Sequence, residues 1–166
     1  MSTTTTADGT TTIEAAEDMP SIRMRRDFAA TPAQLVRAHT DPELFVQWVG
    51  PTGTTMRVDY RDARTGGSWR YVDGPGSDGE EYAFHGSFHE VREDRLVQTF
   101  TYEGYPDNVA LETMWFEDLG QGRTRMHVNS LFDSYEARDG MLASGMDVGV
   151  NDGYAKLDGL LAAGSV

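Results

Sequence analysis

From Ser21 onward the apolar positions follow two periods in turn. Ile22, Met24 and Phe28 alternate with Arg23, Arg25 and Asp27, the spacing of a half-buried strand. Thr31-Pro32 supplies an N-cap and a first-turn proline, and a short helix follows through Leu35, Val36 and Ala38. Asp41-Pro42 repeats that start signal, Glu43 to Trp48 forms a second short helix, and Gly50-Pro51-Thr52-Gly53 stops it. Period two then holds as far as Phe132. Met56, Val58 and Tyr60 form one strand; Trp69 and Tyr71 form the next, after a Gly66-Gly67 turn. Tyr82, Phe84 and Phe88 share a face opposite His85, Ser87 and His89, with Gly86 marking a bulge or bend. Leu96, Phe100 and Tyr102 follow, then strands at Val109 to Phe116 and Thr124 to Leu131, with Gly120-Gln121-Gly122 between them.

At the end the period switches. Met141, Leu142, Gly145, Met146, Gly149, Val150, Gly153, Tyr154, Leu157 and Leu161 recur at three and four. That spacing predicts one long amphipathic helix, beginning near Ser134 to Asp139 and closed by Gly164. Short turns make neighbouring strands antiparallel, so the class is α+β: about seven strands, two short helices after the first strand, and a long C-terminal helix. A twisted sheet of that width is a broad curved surface. A helix is about 10–12 Å across, so it covers the middle of the sheet and leaves a hollow beside it.

Residues 1–20, rich in threonine, small and acidic side chains, lack apolar periodicity and read as a disordered leader, with one domain over 21–163. They carry no basic segment followed by an apolar one, so no secretory signal is expected. No apolar run approaches the roughly 18 residues of a membrane span. The whole chain has 166 residues, enough for one ordinary domain. Its net charge of −13 argues against nucleic acid, whose affinity comes from clustered cations. Cysteine is absent, which excludes disulfides, thiolate metal sites and a cysteine nucleophile and fits a reducing, cytoplasmic setting.

Several segments resemble one family. Thr40-Asp41-Pro42-Glu43-Leu44 running into Trp48-Val49-Gly50-Pro51 is similar to the TDPE…WWGP signature of the AHSA1-like family (activator of Hsp90 ATPase homologue-like), within the START/Bet v 1-like (SRPBCC) superfamily. Val49 stands where that signature has a second Trp. Asp62-x-Arg64-x-Gly66-Gly67-x-Trp69-Arg70, Gly86-x-Phe88-x-Glu90 with Arg95-Leu96, and Ser144-Gly145-Met146 with Gly149-Val150 extend the likeness over roughly residues 22–162. The resemblance implies a helix-grip fold, in which a seven-stranded antiparallel sheet wraps the C-terminal helix around a deep hydrophobic cavity. Superfamily members bind lipids, sterols, polyketides and plant phenolics, and some are cyclases or dehydratases. The activator behind the family's name carries a further N-terminal domain not seen in this sequence, so direct Hsp90 stimulation is not implied.

The candidate ligand-binding set is the inward parity: Trp48, Met56, Tyr60, Trp69, Tyr71, Tyr82, Phe84, Phe100, Tyr102, Met114, Met126, Met146 and Val150. Aromatic rings dominate cores as well as pockets. Tyrosines need a partner for the hydroxyl when buried, which favours a pocket for several of them. Gln98 and Glu112 also fall on inward parity; either they orient a ligand, or a register slip turns them to solvent. If Glu112 is inside, its pKa should rise, which makes it the catalytic candidate. Gly145, Gly149 and Gly153 mark either close helix-to-sheet approach or room beneath the helix. His39, His85, His89 and His127 read as surface residues, with no HExxH spacing; Gly-x-Ser-x-Gly and GxxxxGK(S/T) are absent, and the glycine loop Gly74-Pro75-Gly76-Ser77-Asp78-Gly79 lies between two strands and opens no helix, so it is no phosphate cradle. No metal or cofactor is expected. The expectation is a monomer or homodimer that binds a small hydrophobic or aromatic molecule. The alternatives are a cyclase- or dehydratase-type enzyme using Glu112 and a tyrosine, and a chaperone-interaction module.

Overall fold

A computed structural model describes residues 9–166. Its elements run β1 (Thr12–Ala15), β2 (Ser21–Phe28), α1 (Pro32–Thr40), α2 (Pro42–Trp48), β3 (Met56–Arg61), β4 (Ser68–Asp73), β5 (Tyr82–Val91), β6 (Arg95–Tyr102), β7 (Ala110–Gly120), β8 (Arg123–Leu131), α3 (Tyr135–Ala143) and α4 (Met146–Ala162). The strands form one antiparallel sheet in the order β1-β2-β8-β7-β6-β5-β4-β3. This is the α+β helix-grip architecture.

β2 and β3 are consecutive in the chain yet lie far apart in the sheet, so α1 and α2 form the bridge between its two flanks. Both helices are set by their first residues. Thr31 accepts from the Gln34 amide at 3.2 Å while the Gln34 carboxamide accepts from the Thr31 amide at 2.9 Å, a reciprocal cap. Asp41 caps α2 through the Glu43 amide at 2.9 Å. The Trp48 indole donates to the Ala38 carbonyl at 3.0 Å, which ties the two helices together.

Two expectations change. Part of the supposed leader is a strand: Ile13 pairs with Met24 and Ala15 with Ile22. Its connection to β2 is held by the guanidinium of Arg138, which donates to the carbonyls of Ala16 at 2.8 Å and Ser21 at 3.0 Å. A polar four-residue strand is too short for its own periodicity to show. Residues 1–8 of that leader lie outside the described residues. The sheet therefore has eight strands rather than seven.

The long C-terminal helix is in fact two. Gly145 adopts φ 83° at the junction of α3 and α4, a left-handed conformation that a glycine takes without steric cost. The apolar spacing of three and four runs straight across this break, so periodicity alone conceals it.

The packed core lies between the C-terminal half of α4, α1 and the sheet. Phe28, Leu35, Ala38, Leu96, Met126 and Leu157 are each at most 1% exposed. Arg26 fastens this half of α4, with its guanidinium 2.9 and 2.7 Å from the two carboxylate oxygens of Asp158.

Candidate functional site

Beneath the N-terminal half of α4 the packing stops. A cavity of about 590 Å³ remains between that helix, α2 and the concave face of the sheet, within the size range of small-molecule sites. Its wall on β4, β5 and β6 is a continuous run of rings. Trp69 and Tyr71 stack at 5.4 Å, Tyr71 and Phe84 at 5.2 Å, and Phe84 meets Phe100 at 5.4 Å and Tyr102 at 5.3 Å. Strand alternation produces this wall: Trp69, Tyr71, Phe84 and Tyr102 fall on one face, with Tyr71 opposite Phe84 and Phe84 opposite Tyr102 in register. Gly86 sits directly under the Trp69 ring. A Cβ there would lie 2.7 Å from two of the ring carbons, so the glycine lets the indole lie flat on β5.

Tyr82 and Met56 line the same space, with Tyr82 donating its hydroxyl to Asp78 at 2.8 Å. Met114 on β7, Trp48 on α2, and Met146 and Val150 on α4 are further expected residues that do so. Two expected residues do not. Met126 is on inward parity but fully buried in the packed core, its sulfur 3.9 Å from the Tyr154 hydroxyl. Tyr60 is 49% exposed because the β3–β4 register slips between Val58 and Tyr60. The bulge turns Tyr60 outward and Arg61 inward.

Glu112 and Gln98 face inward; no slip turns them to solvent. They are register partners across β6 and β7, and Glu112 is opposite Ser130 across β7 and β8. Three adjacent strands thus present a polar row. The Gln98 amide donates to Glu112 Oε1 at 2.9 Å, and the Ser130 hydroxyl donates to Oε2 at 2.7 Å. Burial raises the Glu112 pKa, opposed by the Ser130 and Gln98 hydrogen bonds. Tyr71 and Tyr154 titrate well above the usual tyrosine range, first through burial and then through the nearby Glu112 charge.

His39 and Arg61 were not expected in the cavity wall. His39 is buried, which corrects its surface assignment. It lies one helical turn after Leu35 on the apolar face of α1, a cue the sequence did carry. Its Nδ1 is 2.7 Å from the Leu35 carbonyl. That oxygen only accepts, so Nδ1 carries the hydrogen and Nε2 is left as an acceptor. Burial lowers the His39 pKa to about 4, the Leu35 bond opposing and the Arg61 charge assisting. Arg61 donates from Nε to the His39 carbonyl at 2.7 Å and stacks 3.7 Å from the Phe45 ring centroid. Burial brings its pKa down to about 10, so it remains a cation at neutral pH. Nothing in the sequence announces the bulge that brings it inside.

Four buried polar atoms in this lining have no hydrogen-bond partner: His39 Nε2, Trp69 Nε1, Asp73 Oδ1 and Gln98 Oε1. Native interiors leave few such groups unsatisfied, so a cluster of four in the wall of one hollow sets this region apart from the packed core. No group of three or more His, Asp or Glu side chains among the described residues is arranged to hold a metal. His85 stands outside, 3.3 Å from Glu103, and His127 stacks on Trp115 on the outer face.

The family model described as Activator of Hsp90 ATPase homolog 1-like protein matches residues 29–162. Among solved structures, a protein from Rhodobacter sphaeroides is 29% identical with a TM-score of 0.81, covering 92% of this chain and 98% of that one. Protein Ms6760 from Mycobacterium smegmatis is 24% identical with a TM-score of 0.80, covering 90% and 95%. A protein from Arthrobacter aurescens is 23% identical with a TM-score of 0.81, covering 92% and 91%. No curated protein matches the chain.

Proposed function

Because the chain belongs to the Activator of Hsp90 ATPase homolog 1-like family, we propose that it binds a small hydrophobic or aromatic molecule in the cavity between α4 and the sheet. The observation that carries this reading is the coincidence of a ring-lined hollow of about 590 Å³ with unpartnered polar atoms in its wall. The rings supply apolar contact, and the few polar groups fix orientation. The net charge of −13 supports a small molecule over a nucleic acid as partner, and the lack of cysteine suits a cytoplasmic location. Among the described residues no helix is long and apolar enough to cross a membrane.

The test uses a neutral fluorophore, N-phenyl-1-naphthylamine, with wild type and Val150→Trp, which places a large side chain in the roof of the hollow. Saturable fluorescence enhancement in wild type, weakened in a folded Val150→Trp protein, is the expected result. No saturable binding to wild type, or equal binding to both, overturns the reading.

One observation favours a second reading, an acid–base enzyme of the cyclase or dehydratase type. Glu112 is a buried carboxyl of raised pKa facing a cavity that Tyr71 also lines. Turnover of a polyketide-like substrate that disappears in Glu112→Gln supports it; unchanged turnover removes Glu112 from the chemistry.

A further inference from the structure

The cavity is electrically uneven. On the β3 wall Arg61 carries a charge that none of the described carboxylates pairs with: its polar contact is the His39 carbonyl at 2.7 Å. The rings of Phe45, Phe88 and Trp69 surround it at 3.7, 5.3 and 5.9 Å. These contacts hold the stem and face of the guanidinium but leave its charge uncancelled. The cavity's carboxylates lie elsewhere. Arg61 is register partner of Trp69, and Asp73 lies four residues further along β4, roughly 13 Å at strand spacing. Glu112 is on β7, four strands away around the sheet, and already accepts from Gln98 and Ser130.

A guanidinium enclosed by rings without a counter-ion is costly to keep. The rings attract the cation from its faces, but they supply no negative charge, and the backbone carbonyl it bonds could be served by a neutral donor. Beside it, the buried indole N–H of Trp69 is a second donor without an acceptor. A cation without a counter-ion and an indole N–H without an acceptor, at one end of an apolar chamber, are complementary to an anion. Resting on the binding function proposed above, we propose that the ligand is an apolar acid, an aromatic or alicyclic body bearing a carboxylate that docks on Arg61. The ring wall of Tyr71, Phe84 and Phe100 then takes the body.

A matched ligand pair tests this: 2-naphthoate and 2-naphthamide, titrated by calorimetry at pH 7 into wild type, Arg61→Met and Arg61→Lys. A charge-assisted bond formed out of water makes the acid bind at least about tenfold more tightly than the amide to wild type. In Arg61→Met the acid falls to the level of the amide or below, while amide affinity changes less than about twofold; Arg61→Lys recovers part of the preference. Equal affinity of wild type for acid and amide overturns the proposal, even if the neutral fluorophore binds and the cavity function stands. Failure of the fluorophore and both naphthalenes overturns the two readings together. If Arg61→Met does not fold, the acid-to-amide ratio of wild type still decides. If Arg61→Met folds and keeps the acid preference, Arg61 is a structural cation and the proposal fails.

Discussion

The two halves of α4 face opposite physical situations. Its C-terminal half packs solidly: Leu157 is inaccessible, Tyr154 meets Phe28 edge-on at 5.5 Å, and Asp158 binds Arg26. Its N-terminal half, with Met146, Gly149 and Val150, roofs a hollow. One helix thus serves as both core element and lid. Neither half can change roles, because a single helix cannot fill the width of a curved eight-stranded sheet.

This contrast is broken most directly by truncation. Leu157→Ala leaves a void in a closed core and should lower unfolding stability by about 2–5 kcal/mol. Val150→Ala removes a side chain that already borders space and should cost about 1 kcal/mol or less. Urea denaturation of both variants checks the difference, and equal losses would mean that the roof is packed like the core.

Acid exposes the next difference. Native His39 binds its proton only below a pH of about 4, whereas the unfolded chain binds it below the ordinary 6.5. The unfolded state therefore holds more protons in that window, and stability falls as pH drops through it, by about 3 kcal/mol in full. His39→Gln should flatten this slope in urea midpoints measured from pH 7 to 4. Glu112 works in the opposite sense. Its raised pKa means that the native state holds the extra proton, so stability is lost as pH rises from the ordinary carboxyl value through the raised one. Glu112→Gln should then be more stable than wild type at pH 7, with the gain fading on acidification. A variant less stable than wild type at pH 7 would mean that the bonds from Gln98 and Ser130 outweigh the cost of burying that charge.

The smallest effect separates two glycines of α4. A Cβ on Gly149 would meet Pro51 at 3.6 Å, an ordinary contact, whereas one on Gly153 would sit 3.0 Å from the Trp48 carbonyl oxygen. Gly149→Ala should stabilise the helix by about 0.5–1 kcal/mol; Gly153→Ala should not, and thermal melting distinguishes them. The uniform spacing of Gly145, Gly149 and Gly153 therefore hides three roles: a break between helices, a position open to a side chain, and a close approach.

Much of the site could be read from alternation. Trp69, Tyr71, Phe84, Gln98, Phe100, Tyr102 and Glu112 face inward because strand geometry sends every second side chain to one face, and their parity is written in the chain. Where the period slips, the reading fails at once: the bulge after Val58 exchanged Tyr60 for Arg61. Met126 fails differently. Its parity is right, but parity says which face a residue occupies and nothing of which part of that face α4 covers.

The sequence by itself determined the order from β2 through α1 and α2 to β8, the helical C-terminus, the caps of α1 and α2, and the apolar face of the sheet, because these rest on spacings within a few residues. Tertiary structure alone decided where α4 sits across the sheet, that β1 joins it, and that Arg61, His39 and Glu112 share one enclosure. Those outcomes depend on packing between segments as distant as β3 and β7, where close contact and burial are settled by the whole fold rather than by any local pattern.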